Sequence, residues 1–284
     1  MKTHKLCIAS AFLAFVSFAL NGSAQVTWLS QNFDGLASGS FTATTSVGSG
    51  TGLLNLTGSS SGYASIVTES GADKALTFTD NSGGGTPIAY SSLSGLSTNA
   101  TGNNSLTGSF DFRIINTGGT VGTMVFAVNS GTNTSTSSAV TSVQILFAGL
   151  NVQVQTAAGN SGTLATLSYA TDYRLSLVAD YSSTTQDSYS FTITDLGASG
   201  IVYSSGVINT RAANAGFGTL LFNGAANAGG ANTNPYFQLD NLGFTAQNIS
   251  AIPEPSTTAV VAALAVLILA GVKRRNRDGI SNCS

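Results

Sequence analysis

The feature that most constrains this chain is a period of two. In Ser109–Ile115, which reads SFDFRII, Phe110, Phe112 and Ile114 alternate with Asp111 and Arg113. In the following stretch Met124, Phe126 and Val128 share one parity. Val143, Ile145 and Phe147 repeat the pattern, and Val152 and Val154 resume it after Ala148-Gly149. Tyr173, Leu175, Leu177, Ala179 and Tyr181 do the same, and Tyr189, Phe191 and Ile193 alternate with Ser190, Thr192 and Thr194. Successive side chains of a strand point to opposite faces, so this pattern predicts antiparallel sheet with one face buried.

The connections are loops of Gly, Ser, Thr and Asn, such as 182–186 and 225–234. Asn223-Gly224 reads as a turn closing the strand 219–222. Many short strands at this spacing predict a sandwich or barrel. No internal repeat points to a propeller or β-helix. The last strand, 236–245, changes phase: Phe237 and Leu239 share one parity, Leu242 and Phe244 the other. A β-bulge at Asp240-Asn241 would turn all four inward; the alternative is a strand buried on both faces.

The segment TDYRLSLVADYSSTTQDSYSFTITD (171–195), then GIVYSSG (200–206) and the closing FQLDNLGFT (237–245), resembles the concanavalin-like, laminin-G-like β-sandwich family. The resemblance covers about a third of the body and implies a jelly-roll fold, not an activity. The expected class is therefore all-β: one antiparallel sandwich, residues 25–246, with a signal peptide before it and a single helix after it.

The two ends predict a destination. Lys2 and Lys5 precede an apolar run from Leu6 to Leu20, and Asn21-Gly22-Ser23-Ala24 offers small residues for cleavage. Residues 1–24 thus read as a secretory signal peptide. At the other end, after a linker at 247–252, Pro253-Glu254-Pro255-Ser256 holds the backbone extended. The apolar stretch 259–272 follows, about 21 Å long as a helix, short for a hydrocarbon core of about 30 Å. Lys273, Arg274, Arg275 and Arg277 would keep its end cytoplasmic. Proline-rich motif, short helix and basic end, in this order over 253–279, resemble the PEP-CTERM sorting signal of Gram-negative bacteria. Asn276 interrupts the basic end and residues 278–284 run beyond it. The resemblance implies recognition and removal of the tail by a membrane-embedded exosortase. It also implies transient anchoring in the inner membrane, display or release at the cell surface, and an association with exopolysaccharide or biofilm. A plain C-terminal anchor is the alternative.

Between the ends the chemical inventory is bare. Cys7, Cys283 and His4 all lie in the end segments, so the body has neither cysteine nor histidine. That excludes the common nucleophile–base pairs and zinc sites built on those ligands. The body's cations are Lys74, Arg113, Arg174 and Arg211, against ten acids, a net charge of −6. No nucleic-acid footprint follows from such a charge. Glycoside hydrolysis needs only two carboxylates. The concanavalin-like glycosidases imply clustered acids, mainly Glu, on one strand; here Glu69 stands alone, and Asp180 and Asp187 read as solvated loop acids. The jelly-roll resemblance also implies a structural calcium where first and last strands meet, with Asp34 and Asp240 as candidates; turn and bulge positions are the alternative reading of both. No other cofactor is expected. Trp28 and the tyrosines offer a sugar-stacking platform or core packing, with packing the default. The expected role is a non-catalytic surface or matrix protein that binds polysaccharide; the competing class is a secreted glycosidase.

Overall fold

The computed structural model describes residues 24–41, 45–48, 51–58, 62–70, 72–80, 86–92, 104–115, 122–132, 134–183, 185–212, 216–225 and 235–248. Apart from Ala24 they belong to one compact unit, Gln25–Ile249. The signal-peptide region, the Pro253–Ser256 motif, the apolar stretch 259–272 and the basic end lie outside the described residues. Among the described residues no helix is long and apolar enough to cross a membrane.

Nineteen strands follow one another in the described residues. The first seven are β1 (Ala24–Gln31), β2 (Gly39–Phe41), β3 (Thr45–Val47), β4 (Leu54–Thr57), β5 (Gly62–Ser70), β6 (Asp73–Asp80) and β7 (Ile88–Ser92). The long β8 (Asn104–Ile114) precedes β9 (Thr123–Asn129), β10 (Thr141–Ala148), β11 (Asn151–Thr156), β12 (Gly159–Asn160) and β13 (Ala165–Thr166). Last come β14 (Asp172–Tyr181), β15 (Ser188–Asp195), β16 (Gly200–Ser204), β17 (Ile208–Asn209), β18 (Thr219–Ala225) and β19 (Pro235–Asn248).

They form two antiparallel sheets. The first runs β16-β15-β14-β8-β19-β6-β5-β2, with β1 also on β19 and β17 on β15. The second runs β12-β11-β10-β9-β18-β7-β4-β3, with β13 on β11. Neighbours distant in sequence are joined in space, as jelly rolls require: β8 lies between β14 and β19.

The inner faces meet in one aromatic core. Phe110 of the first sheet packs at 5.1 Å from both Phe126 and Phe222 of the second. Phe112 and Phe147 meet across the sandwich at 4.8 Å, and Phe237 stacks on Phe112 at 5.6 Å with planes 5° apart. Phe244 needs a missing side chain: it lies opposite Gly108 in the ladder, and a Cβ at Gly108 would run into its ring. A second, smaller cluster, Val125, Ala127 and Leu221, covers part of the other face of the second sheet.

Of the two readings of the closing strand, the structure shows the bulge. Its register with β8 shifts between Asp240 and Gly243, and Asn241 takes a φ of 48°. Phe237, Leu239, Leu242 and Phe244 are all buried. Asn223-Gly224, by contrast, is no turn. Both residues lie inside β18, where Asn223 faces Ile88 on one side and Val125 on the other. Gly224 is used there for room, not for a turn, because a Cβ would collide with the Tyr236 hydroxyl. The local turn signal loses to a ladder paired on both edges.

Candidate functional site

The outward face of the first sheet carries the polar half of the alternation. Register aligns it in rows. Gln238, Arg113 and Asp172 stand side by side on β19, β8 and β14. One row along come Asp240, Asp111 and Arg174. Glu69 and Asp73, near the facing ends of β5 and β6, close the far side. Together with Asn241 and Gly197 these residues, Arg174 apart, line a cleft of about 350 Å³.

Both guanidiniums are held by carboxylates. Arg113 donates Nε and Nη2 to Asp172 at 2.6 and 2.7 Å, and its Nη1 lies 3.5 Å from Glu69. Arg174 donates Nε and Nη2 to Asp111 at 2.6 and 2.8 Å. Such forked pairs fix geometry as well as charge. These ion pairs raise both arginine pKa values, against the opposing pull of partial burial.

The bulge supplies the rest. It turns Asn241 so that its amide donates to Asp111 at 3.0 Å and to the adjacent Asp240 at 3.1 Å. The other Asp240 oxygen, Oδ1, is buried without a hydrogen-bond partner. Burial pushes the Asp240 carboxyl up to about 7; the Asn241 backbone opposes this, and Asp73, Asp34 and Asp111 add to it. Burial also raises Glu69, against the pull of Arg113. Raised carboxyls gathered in one cleft are a physical mark of a functional site. They can accept hydrogen bonds from hydroxyls, and Asp240 can hold a proton near neutral pH.

The acids do cluster, then, although sequence spacing scatters them from Glu69 to Asp240. No single strand clusters acids beside Glu69, as expected; instead β5, β6, β8, β14 and β19 each bring one carboxylate to the cleft. The available signal was parity, since Asp111, Arg113, Asp172 and Arg174 all occupy the polar face of alternating strands. What parity does not give is which strands are neighbours.

The other candidates fall elsewhere. Asp34 is exposed; its Oδ1 accepts the Lys74 amide at 3.1 Å and its Oδ2 the Asn32 amide at 3.2 Å. It stays close enough to help raise Asp240. Among the described residues no group of three or more His, Cys, Asp and Glu side chains is arranged to hold a metal. Trp28 is 4% exposed and stacked on Phe217, so it is core and not a sugar platform. Asp180 is exposed, as expected, but lies in β14 and not in a loop; Asp187 is not solvated. It is 2% exposed, its Oδ1 is buried without a partner, and burial pushes its carboxyl to about 6. The segment around it folds under the sheet edge, where Thr210 donates its backbone N–H to the Asp187 carbonyl at 3.0 Å.

No family model matches this chain. No curated protein matches it. Several solved structures have a related form. An alginate lyase from Aplysia kurodai is 15% identical, covering 64% of this chain and 86% of its own, with a TM-score of 0.47. Peanut lectin is 14% identical over 76% of this chain and 99% of its own, with a TM-score of 0.46. A protein of unknown function from Shewanella oneidensis is 14% identical over 79% of this chain and 92% of its own, also at 0.46. The chemistry of those proteins stays with them at these identities.

Proposed function

We propose that this chain is an exported, non-catalytic surface or matrix protein whose sandwich holds a polysaccharide in the cleft on its first sheet. The observation that carries this reading is the cleft itself: acceptor oxygens and amides on a rigid sheet, with both arginines tied to carboxylates. Sugar hydroxyls are met by such acceptors and amides through directional hydrogen bonds. The tail supplies the destination. Pro253, Glu254, Pro255 and Ser256 are the proposed exosortase recognition motif, 259–272 the transient inner-membrane segment, and Lys273, Arg274, Arg275 and Arg277 its cytoplasmic end. Intact mass of the native protein tests this half. A released form ending between Pro253 and Pro255 is expected; a membrane form retaining Arg274 and Cys283 would make the tail a simple anchor.

One observation favours a second reading, a secreted glycosidase. Glu69 and Asp240 share the cleft, and burial raises both, as a general acid requires. A turnover screen on bacterial polysaccharides separates the two. We expect no released reducing ends; turnover abolished by Glu69→Gln or Asp240→Asn would establish the enzyme. A structural calcium at Asp34 and Asp240 belongs to the same proposal. Thermal stabilisation by calcium, lost in Asp240→Ala, would support it, and an unchanged melting temperature would remove it.

A further inference from the structure

The segment 208–212 crosses from one sheet to the other. On the first sheet β17 pairs with β15, Ile208 facing Tyr189 and Asn209 facing Ser188. On the second, the Arg211 and Ala212 N–H groups donate to the Ser142 and Thr141 carbonyls of β10 at 2.8 and 3.1 Å. The Arg211 guanidinium donates to the Thr136 carbonyl at 2.8 Å and to the Gln144 side chain. Between these attachments lies Thr210, which is buried. Its N–H donates to the Asp187 carbonyl at 3.0 Å, and its hydroxyl lies 3.2 Å from the same oxygen. Gln186 donates its side-chain amide to the Thr210 carbonyl and hydroxyl at 3.0 and 2.9 Å. The segment is thus a strap, hung at one end on Gln186 and Asp187 and at the other on β10.

The anchor on the first sheet has an unusual side chain. The residue whose carbonyl carries Thr210 is Asp187, buried and with Oδ1 unpartnered. Such a carboxylate is costly once ionised, unless a cation pairs with it. Among the described residues no ion pair includes it. Arg211, the charge on the strap itself, is engaged on the second sheet. The groups facing Asp187 are an acid and phenols. Asp180 of β14 pairs with Ser188, so the next position sets Tyr181 opposite Asp187, and Tyr189 is its same-face neighbour on β15. The Tyr181 hydroxyl is already bonded to Ser142 at 2.9 Å. Burial pushes the Asp187 carboxyl to about 6, and Asp180 adds to the rise against a backbone hydrogen bond from Ser183.

We propose that Asp187 makes the strap a pH-sensitive clasp: protonated, its carboxyl stays inside and the strap is closed; ionised, it moves out to water and takes the Thr210 anchor with it. The sign follows from proton binding. The closed form keeps its proton up to about pH 6, whereas an exposed carboxyl releases it near 3.8. Opening is therefore favoured as pH rises across that interval, and the effect levels off above it. Between pH 5 and pH 8 these two values give a rise of roughly tenfold in the open fraction. The clasp does not depend on what the cleft binds.

Hydrogen exchange of the full-length chain in detergent tests it, read as the protection of 205–212 after correction for the intrinsic pH dependence of exchange. In the wild type that protection should fall about tenfold from pH 5 to pH 8. Over the same range β8 should keep its protection, and the emission of Trp28, the one tryptophan of the chain, should not move. Asp187→Asn should remove the dependence, because the amide does not titrate. Asp180→Asn, at an exposed position, should move the fall to lower pH by removing the neighbouring acid. Melting curves show whether each variant folds; if Asp187→Asn does not, Asp180→Asn decides. Strap protection that ignores pH in the wild type would overturn the proposal. So would a pH dependence that survives Asp187→Asn, one that Asp180→Asn leaves unshifted, or an equal loss of protection in 205–212 and β8.

Discussion

Single residues carry the pH behaviour of this protein. Asp240 and Asp187 have ordinary values of 3.8 but folded values of about 7 and about 6. Between those limits the folded state binds protons that the unfolded chain has released, so stability falls as pH rises. The melting temperature should therefore decline from about pH 4 to about pH 7 and level off above that. Asp240→Asn with Asp187→Asn should flatten the decline, because neither amide titrates. A double variant with the slope of the wild type would show that these two groups do not set it. Residue roles were unevenly legible in the sequence. Tyr173, Tyr181 and Tyr189 read correctly as core, because parity with apolar neighbours places them inward; Trp28 is core too, although its same-parity neighbours Val26 and Ser30 are exposed. Asp187 did not read correctly: it sits in a loop, where polarity suggests solvent, yet it is buried, with Thr210 hydrogen-bonded to its carbonyl.

At the scale of elements, the closing strand shows how a phase break becomes a device. The sequence supplies the two parities, and burial of all four apolar side chains demands an extra residue. The same bulge aims Asn241 at Asp111, so one irregularity serves both core and cleft. Asn241 occupies left-handed backbone, which glycine tolerates and a β-branched residue resists. Asn241→Val should cost about 1–2 kcal/mol by that strain, and Asn241→Gly much less, read by urea denaturation. Equal losses would mean that the amide's hydrogen bonds, not the backbone, matter there. Gly108 gives a second test. Gly108→Ala forces a methyl into the Phe244 ring, so the overpacking should destabilise by about 1–3 kcal/mol, whereas a neutral effect would show that the ring moves freely. Strands 8 to 11, 14 and 15 were legible from period-two alternation. The turn assigned to Asn223-Gly224 was not, since that dipeptide sits in a strand paired on both edges, where tertiary packing overrides local preference.

On the scale of the whole molecule, a sandwich with few charges concentrates its acids where they do not destabilise the core. The fold class followed from alternation and turn spacing, because a half-buried antiparallel sheet leaves that pattern in any sequence. The cleft did not follow, because it is made by strand order: β8 lies between β14 and β19, more than fifty residues away on either side. Nothing local in the chain announces that Glu69, Asp111 and Asp240 meet. The proposed function joins this cleft to the destination proposed from the tail, and the two halves fail independently: a simple anchor would leave the cleft reading intact.

The most direct test of the central claim is retention of the native protein on immobilised neutral bacterial polysaccharides, measured beside a cleft variant, Asp73→Asn/Gln238→Ala. The account predicts retention by the wild type, weakened about tenfold in the variant by loss of roughly 1.4 kcal/mol of hydrogen bonding, with no reducing ends released. Equal retention of the two proteins, or retention of neither, would contradict it.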